Sequence, residues 1–202
     1  MRIHMETERL ILRRFTEADA DNLFALDSDP QVMRWLTGGA PTPRSVIERD
    51  ILPAFIRSYA LVPGFGVWAA TERASGDFVG WFAIRPPEGA ETAEVASLGY
   101  RLRRAVWGRG YATEGARALI RQGFTDLGVR CVIADTYQDN LASRRVMEKL
   151  SMTLARTYRP TLADLQASDS FDGAAVQDVW DGDDVEYELT KADWEQSQND
   201  NP

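Results

Sequence analysis

The stretch Trp107-Gly108-Arg109-Gly110-Tyr111-Ala112-Thr113-Glu114 constrains this chain more than any other. Two glycines flank one residue, and a helical pattern begins straight after them. Glycine lets the backbone take positive φ and come close to a ligand. The first N–H groups of a helix have no internal partner and sit at the positive end of its dipole. A glycine turn feeding a helix N-terminus is therefore an anion site, usually for a phosphate or pyrophosphate. The bland alternative is a tight strand-to-helix turn with no ligand, and the flanking sequence weighs against it. Upstream, residues 94–102 read as a strand. Downstream, Ala112, Ala116, Leu119, Ile120, Gly123, Phe124 and Leu127 form one apolar stripe at helical spacing, and Gly128 follows where a C-cap glycine belongs. Residues 129–136 then read as a buried strand rich in β-branched side chains. The unit has neither the third glycine and acidic residue of a dinucleotide fingerprint nor the Gly-Lys-Ser/Thr of a P-loop.

The next segment, Asp139-Asn140-Leu141-Ala142-Ser143-Arg144-Arg145-Val146-Met147-Glu148-Lys149-Leu150, reads as a second helix with Asn140 as N-cap. The order Trp-Gly-x-Gly-Tyr-Ala-Thr-Glu, helix, strand, then Asn-x-x-Ser with Val-Met-Glu-Lys-Leu resembles the acyl-CoA N-acyltransferases of the GNAT superfamily. Within it the chain is most similar to the branch that acetylates N-terminal amines of ribosomal proteins. Residues 5–13 resemble the opening strand of that branch and residues 185–189 its last, so the resemblance spans nearly the whole chain. It implies an α/β fold with a mixed, mostly antiparallel splayed sheet flanked by helices. It also implies acetyl-CoA as co-substrate, wedged beside the strand that carries Tyr100.

A length of 202 residues suits a single domain, 1–202, with 1–4 as an N-terminal extension, 161–184 as an acidic excursion and 196–202 as a disordered tail. No apolar run is long enough for a membrane span, and the N-terminus does not read as a signal peptide, so a cytoplasmic protein is expected. Net charge is −8 and uneven: residues 1–160 carry 22 basic and 19 acidic side chains, residues 161–202 only Lys191 against 12 acids. An acidic third repels phosphate backbones, which argues against a nucleic-acid partner. It suits a cationic amine acceptor, although a merely solvated acidic face would look the same. A homodimer is left open.

Acyl transfer from a thioester to an amine needs a seat for the nucleotide phosphates, a donor for the carbonyl oxygen, an acceptor for the amine proton and a donor for the leaving thiolate. An alkylamine holds its proton until roughly pH 10 and a thiolate leaves from a pKa of about 8.5, so both proton steps matter. The resemblance implies that the backbone from Gly108 to Ala112, with Trp107, Tyr111 and the charge of Arg109, holds the phosphates. Its usual Gln or Arg three residues before the first glycine is Ala105 here, and Arg103 or Arg104 can substitute. The main chain around Tyr100 and Leu102 would pair with the pantetheine arm as with another strand. Asn140 would hold the same arm, and the Ser143 hydroxyl would meet the thiolate. The tyrosine seven residues after the asparagine, a common proton donor in the superfamily, is Met147 here.

The proton acceptor is open. The position two residues before the Gly99-Tyr100 pair, often a carboxylate in the resembling branch, is Ser97. Glu94 and Asp135 are the candidates, directly or through water, with Glu94 taken first. Glu114 reads as electrostatic support for its helix N-terminus. His4 is the sole histidine and Cys131 the sole cysteine, which leaves no zinc ligand set and no nucleophile–histidine pair, so direct attack by the amine is expected. Trp35 is the aromatic expected nearest the acceptor. A protein N-terminal amine is the first acceptor reading and a small amine such as a polyamine, amino acid or antibiotic the second. A catalytically weak acyl-CoA-binding protein is the alternative of a different class.

Overall fold

A computed structural model of the chain describes residues 2–87, 92–161 and 182–199. Among these residues, eight strands form one sheet in the order β1-β2-β3-β4-β5-β6-β8-β7. They are β1 Ile3–Glu6, β2 Leu10–Arg14, β3 Gly66–Glu72, β4 Phe78–Arg85, β5 Val95–Leu102, β6 Cys131–Tyr137, β7 Thr153–Tyr158 and β8 Asp184–Thr190. Every pairing is antiparallel except that of β5 with β6. This mixed, mostly antiparallel sheet flanked by helices is the fold class expected from the sequence. That one parallel pair holds register only over Val95↔Cys131, Ala96↔Val132 and Ser97↔Ile133. From Leu98 onward β5 has no partner strand on that side among the described residues, and the sheet opens as a slot.

Alternation along the strands sends side chains to two separate cores. On one face Leu12, Trp68, Phe82, Leu98, Val132 and Tyr187 pack beneath helices α5 (Tyr111–Asp126) and α6 (Leu141–Lys149). On the other, Val67, Ala69, Trp81 and Ala83 pack beneath α1 (Ala20–Asp27), α2 (Pro30–Met33) and α4 (Leu52–Leu61). Helix α5 lies close to the sheet because Gly115 sits against the Phe82 ring, where a Cβ would clash. A π-turn over Ile47–Ile51 joins α3 (Arg44–Val46) to α4. No helix among the described residues is long and apolar enough to cross a membrane.

Several boundaries differ from the sequence reading. The expected extension 1–4 is not free chain, because Ile3 and His4 open β1. The His4 ring stacks on Trp68 at 4.0 Å and hydrogen-bonds Gln122 at 2.9 Å, which fixes the strand. The tail expected to be disordered from 196 is helical to Asn199 in α7 (Lys191–Asn199). Thr190 accepts from the Asp193 N–H at 3.2 Å, and Trp194 packs on Phe124 at 5.4 Å, so the helix is both capped and docked. Residues 200–202 lie outside the described residues, as do residues 162–181 of the acidic excursion. Its last residue, Asp184, already belongs to β8.

Candidate active site

The turn that opens α5 has the backbone its glycines promise. Gly108 takes φ +73° and Gly110, the N-cap of α5, φ +82°. A Cβ on Gly108 would meet nothing, whereas one on Gly110 would lie 3.4 Å from the Arg9 guanidinium. The main chain here is open on the side that precedes the helix dipole.

Arg9, not among the site residues expected above, organises this turn. Its side chain donates to the Arg109 carbonyl at 2.9 Å and to Glu114 at 2.6 Å, and lies over the Tyr111 ring at 4.7 Å. Glu114 also accepts from the Arg9 N–H at 2.8 Å and the Thr7 hydroxyl at 2.6 Å. Partial burial pushes the Glu114 carboxyl up, but these hydrogen bonds outweigh it and hold the group below its ordinary range. Glu114 therefore ties the β1–β2 turn to the glycine turn. The Arg109 guanidinium is drawn aside: it pairs with Glu72 at 2.7 Å and donates to the Tyr111 hydroxyl at 2.9 Å, while Tyr111 itself donates to Glu72. Ala112 follows Tyr111 in the first turn of α5 and is half-buried.

Trp107 is half exposed, and its indole N–H donates to the Leu102 carbonyl at 2.8 Å. That carbonyl, expected to meet a pantetheine amide, already has a partner. Arg104 pairs with Asp29 at 3.3 Å, and Arg103 donates to the Phe78 carbonyl at 3.3 Å.

Across the slot, Asn140 caps α6: its side chain accepts from the Ser143 N–H at 3.3 Å and donates to the Thr136 hydroxyl at 3.0 Å. The Ser143 hydroxyl lies 2.9 Å from the Tyr100 hydroxyl, so β5 and α6 meet through these two groups. Burial raises the Tyr100 phenol to about 12, against the smaller opposing effect of its bond to Ser143. Tyr100 thus stays protonated at neutral pH. Met147 is buried in the core.

The opposite face of the sheet is acidic and aromatic. Strand register sets Tyr137 and Tyr158 on either side of Asp184, and Asp135 opposite Glu186. Trp35 reaches this face and stacks on Tyr137 at 5.2 Å. Arg156 clamps Glu186 through bonds of 3.0 and 2.8 Å. Asp184 is only 8% exposed. Burial raises its carboxyl to about 6, and the charges of Asp135 and Asp183 add to the effect.

A family model described as an acetyltransferase (GNAT) domain matches residues 9–153. The chain belongs to the GNAT acetyltransferase family. It is accordingly an acyl-CoA-dependent N-acetyltransferase. The chain is 34% identical over 160 residues to the FsC-acetyl coenzyme A-N(2)-transacetylase of Aspergillus fumigatus, a match covering 76% of this chain and 66% of that protein. Among solved structures, the ribosomal L7/L12 α-N-protein acetyltransferase RimL in complex with coenzyme A superposes with a TM-score of 0.71 at 17% identity, covering 93% of this chain and 97% of that one. The aminoglycoside acetyltransferase AAC(6')-Ib, also with coenzyme A, superposes with a TM-score of 0.68 at 20% identity, covering 94% and 99%.

Set in this GNAT frame, the residues singled out in the sequence fall into two groups. Tyr100, Leu102, Trp107, Gly108, Arg109, Gly110, Tyr111, Ala112, Asn140 and Ser143 all lie along the slot or at the turn that continues it. Glu94 does not join them. It precedes β5 at the closed end of the β5–β6 pairing, exposed, with its carboxylate 3.3 Å from Arg130 and its carbonyl accepting from the Arg130 N–H at 2.7 Å. Cys131 is half-buried at the same end, and burial pushes its thiol up, which removes it as a nucleophile. Arg9 and Asp184 were missed. Arg9 stands two residues after Thr7 in a turn with no motif of its own, and Asp184 was counted with the acidic excursion.

Proposed function

We propose that this acetyltransferase moves the acetyl group of acetyl-CoA to the N-terminal α-amine of a peptide or protein, by direct attack of the amine on the thioester. The observation that carries the reading is the slot between β5 and β6, closed at Ser97–Ile133 and continued by the glycine turn at its open end. The nucleotide phosphates take the N–H groups that follow Gly110, with Arg9 and Glu114 holding the turn in shape. The pantetheine arm runs along the unpaired side of β5 and is held by Asn140. Its carbonyl partners come from residues other than Leu102, whose carbonyl Trp107 occupies.

The thioester then lies level with Tyr100 and Ser143. The amine lone pair forms the N–C bond, the C–S bond breaks, and the thiolate takes a proton from the Ser143 hydroxyl, which Tyr100 resupplies. Two observations support direct transfer over a covalent enzyme intermediate: the raised Cys131 thiol, and the position of His4 on Trp68 and Gln122.

A small-molecule amine is the second reading, favoured by the relative named as an N(2)-transacetylase of FsC. Acetyl-CoA turnover with peptide N-termini, polyamines, amino acids and an aminoglycoside, with products located by mass spectrometry, decides between them. Acetylation of peptide α-amines alone supports the first reading, and of small amines alone the second. Tight acetyl-CoA binding with no acceptor turned over would replace both with an acyl-CoA-binding role.

A further inference from the structure

The proton donors Ser143 and Tyr100 meet on the face of the sheet beneath α5 and α6. The amine must approach from the other face, where β6 and β8 carry carboxylates. Val185, Tyr187 and Leu189 of β8 join the core beneath α5 and α6, so Asp184 and Glu186 point the opposite way. Alternation places Asp135 on that same face, two residues beyond Ile133, the last residue of β6 that pairs with β5. Asp135 is exposed at the edge of the slot. Asp184 stands diagonally behind it, opposite Tyr137, a spacing of about 7–8 Å between Cα positions.

The two carboxylates differ in their surroundings. Glu186, the other acid beside Asp135, is neutralised by Arg156. Asp183 has Arg159 at 3.9 Å. Asp184 makes no hydrogen bond or ion pair among the described residues, although it is more than nine-tenths buried and faces Tyr137, Tyr158 and Asp135. A buried carboxylate without a partner is costly unless it exists to bind a proton or a cation. We propose that Asp135 and Asp184 work as one acid–base pair that receives the proton of the attacking amine, on the face of the sheet opposite Ser143. The inference rests on the amine-acetylation reading given above. Asp135 meets the incoming ammonium beside the stacked Tyr137 and Trp35 rings. The nitrogen gives one proton to Asp135, which frees its lone pair; the N–C bond then forms as the C–S bond breaks, a second N–H proton leaves to water, and the first stays on Asp135. The pair then shares that proton, because two adjacent carboxylates hold one proton more tightly than either would alone.

Such a pair also selects its amine. Asp184 titrates near 6. An α-amine titrates near 7.7–8.0 and a lysine-type amine near 10.4, so the uphill proton transfer is about 250- to 500-fold less demanding for the α-amine. With equal binding, kcat/KM for a peptide N-terminus should exceed that for an alkylamine by roughly that factor.

The experiment measures kcat and kcat/KM against pH for the wild-type protein, Asp135→Asn and Asp184→Asn, with acetyl-CoA affinity by calorimetry as the check on folding. The wild type should lose activity below about pH 6. Asp184→Asn should move that acidic limb downward by about one pH unit, because its neighbour no longer shares a proton. Asp135→Asn should lower kcat at least tenfold, within the range of a lost general base, with acetyl-CoA affinity retained. An acidic limb that stays in place in Asp184→Asn with undiminished kcat in Asp135→Asn overturns the pair, and so does a parallel loss of acetyl-CoA affinity and turnover. A wild-type protein that acetylates no amine overturns the underlying reading instead, and that outcome is distinct from an active wild type with unresponsive variants.

Discussion

Asp184→Asn should stabilise the protein, and by an amount that depends on pH in a defined direction. In the unfolded chain this carboxyl titrates near 3.8, and in the folded protein near 6. The fold therefore holds the protonated form better than the unfolded chain does. The stability this supplies is fully present below about 3.8 and is lost as pH rises through about 6. Relative to a group that cannot ionise, Asp184 then costs about 1 kcal/mol at roughly pH 4.5 and about 3 kcal/mol at roughly pH 7.5. Asparagine has nearly the same shape and no such titration. Whatever its amide gains or loses locally is the same at both pH values, so only the difference of about 2 kcal/mol matters. For a chain of this size that corresponds to roughly 4–8 °C in melting temperature. Scanning calorimetry of both proteins at the two pH values measures it: the variant's advantage in Tm should grow by that amount on going to the higher pH. An advantage of equal size at both, or one that shrinks as pH rises, would refute the account of Asp184 as a buried carboxylate without compensation.

Ser143→Ala should lower kcat about 10- to 150-fold, the range for one hydrogen bond to a developing charge, with acetyl-CoA affinity nearly intact. Tyr100→Phe should add little on the Ser143→Ala background, since the two hydroxyls act in series at 2.9 Å, and fully additive losses in steady-state kinetics would separate them. Gly110→Val should weaken acetyl-CoA binding more than tenfold, because positive φ costs an L-residue roughly 1–2 kcal/mol and the Cβ approaches Arg9 at 3.4 Å; unchanged affinity in calorimetry with an intact fold would remove the phosphate assignment from the turn. Glu114→Gln should destabilise the protein at neutral pH through weaker bonds to Arg9 and Thr7. The carboxyl is held below its ordinary range, so this deficit should vanish as pH falls through the folded value, and urea titrations at neutral and acidic pH read it directly.

What the sequence revealed was local. The glycine turn, the apolar stripe of α5 and the Asn140 cap each lie within one continuous stretch, where period and turn chemistry are legible. What it concealed depends on pairing between distant stretches. Tyr100 and Ser143 are 43 residues apart and meet only because β5 and β6 diverge. Arg9 reaches Glu114 across 105 residues. Strand β7, Thr-Leu-Ala-Arg-Thr-Tyr, lies at the sheet edge with almost every side chain exposed, so it carries no apolar alternation to read. Glu94 attracted attention by its nearness in sequence to Gly99-Tyr100. Register shows that it precedes the closed end of the β5–β6 pair, held by Arg130. The choice between Glu94 and Asp135 was a choice of sheet position, which one strand's sequence does not encode.

The period of two along a strand gives the site its division of labour. Tyr100 and Ala134 face α5 and α6, and one residue further along β6 Asp135 faces the other way. A thioester lying in the plane of the sheet, between β5 and β6, would have its sulfur reachable from one face and its carbonyl carbon from the other. On the proposed reading, the leaving thiolate would meet neutral hydroxyls, Ser143 and Tyr100, that can only give a proton at neutral pH. The amine would meet the proposed carboxylate pair, which can only take one. Placing both groups on one face would let them exchange the proton directly and waste the pair, because a donor near 12 and an acceptor near 6 are useful only while they are kept apart. A splayed parallel pair keeps them apart with no additional element: it opens the main chain to the co-substrate and leaves the sheet itself as the partition between acid and base.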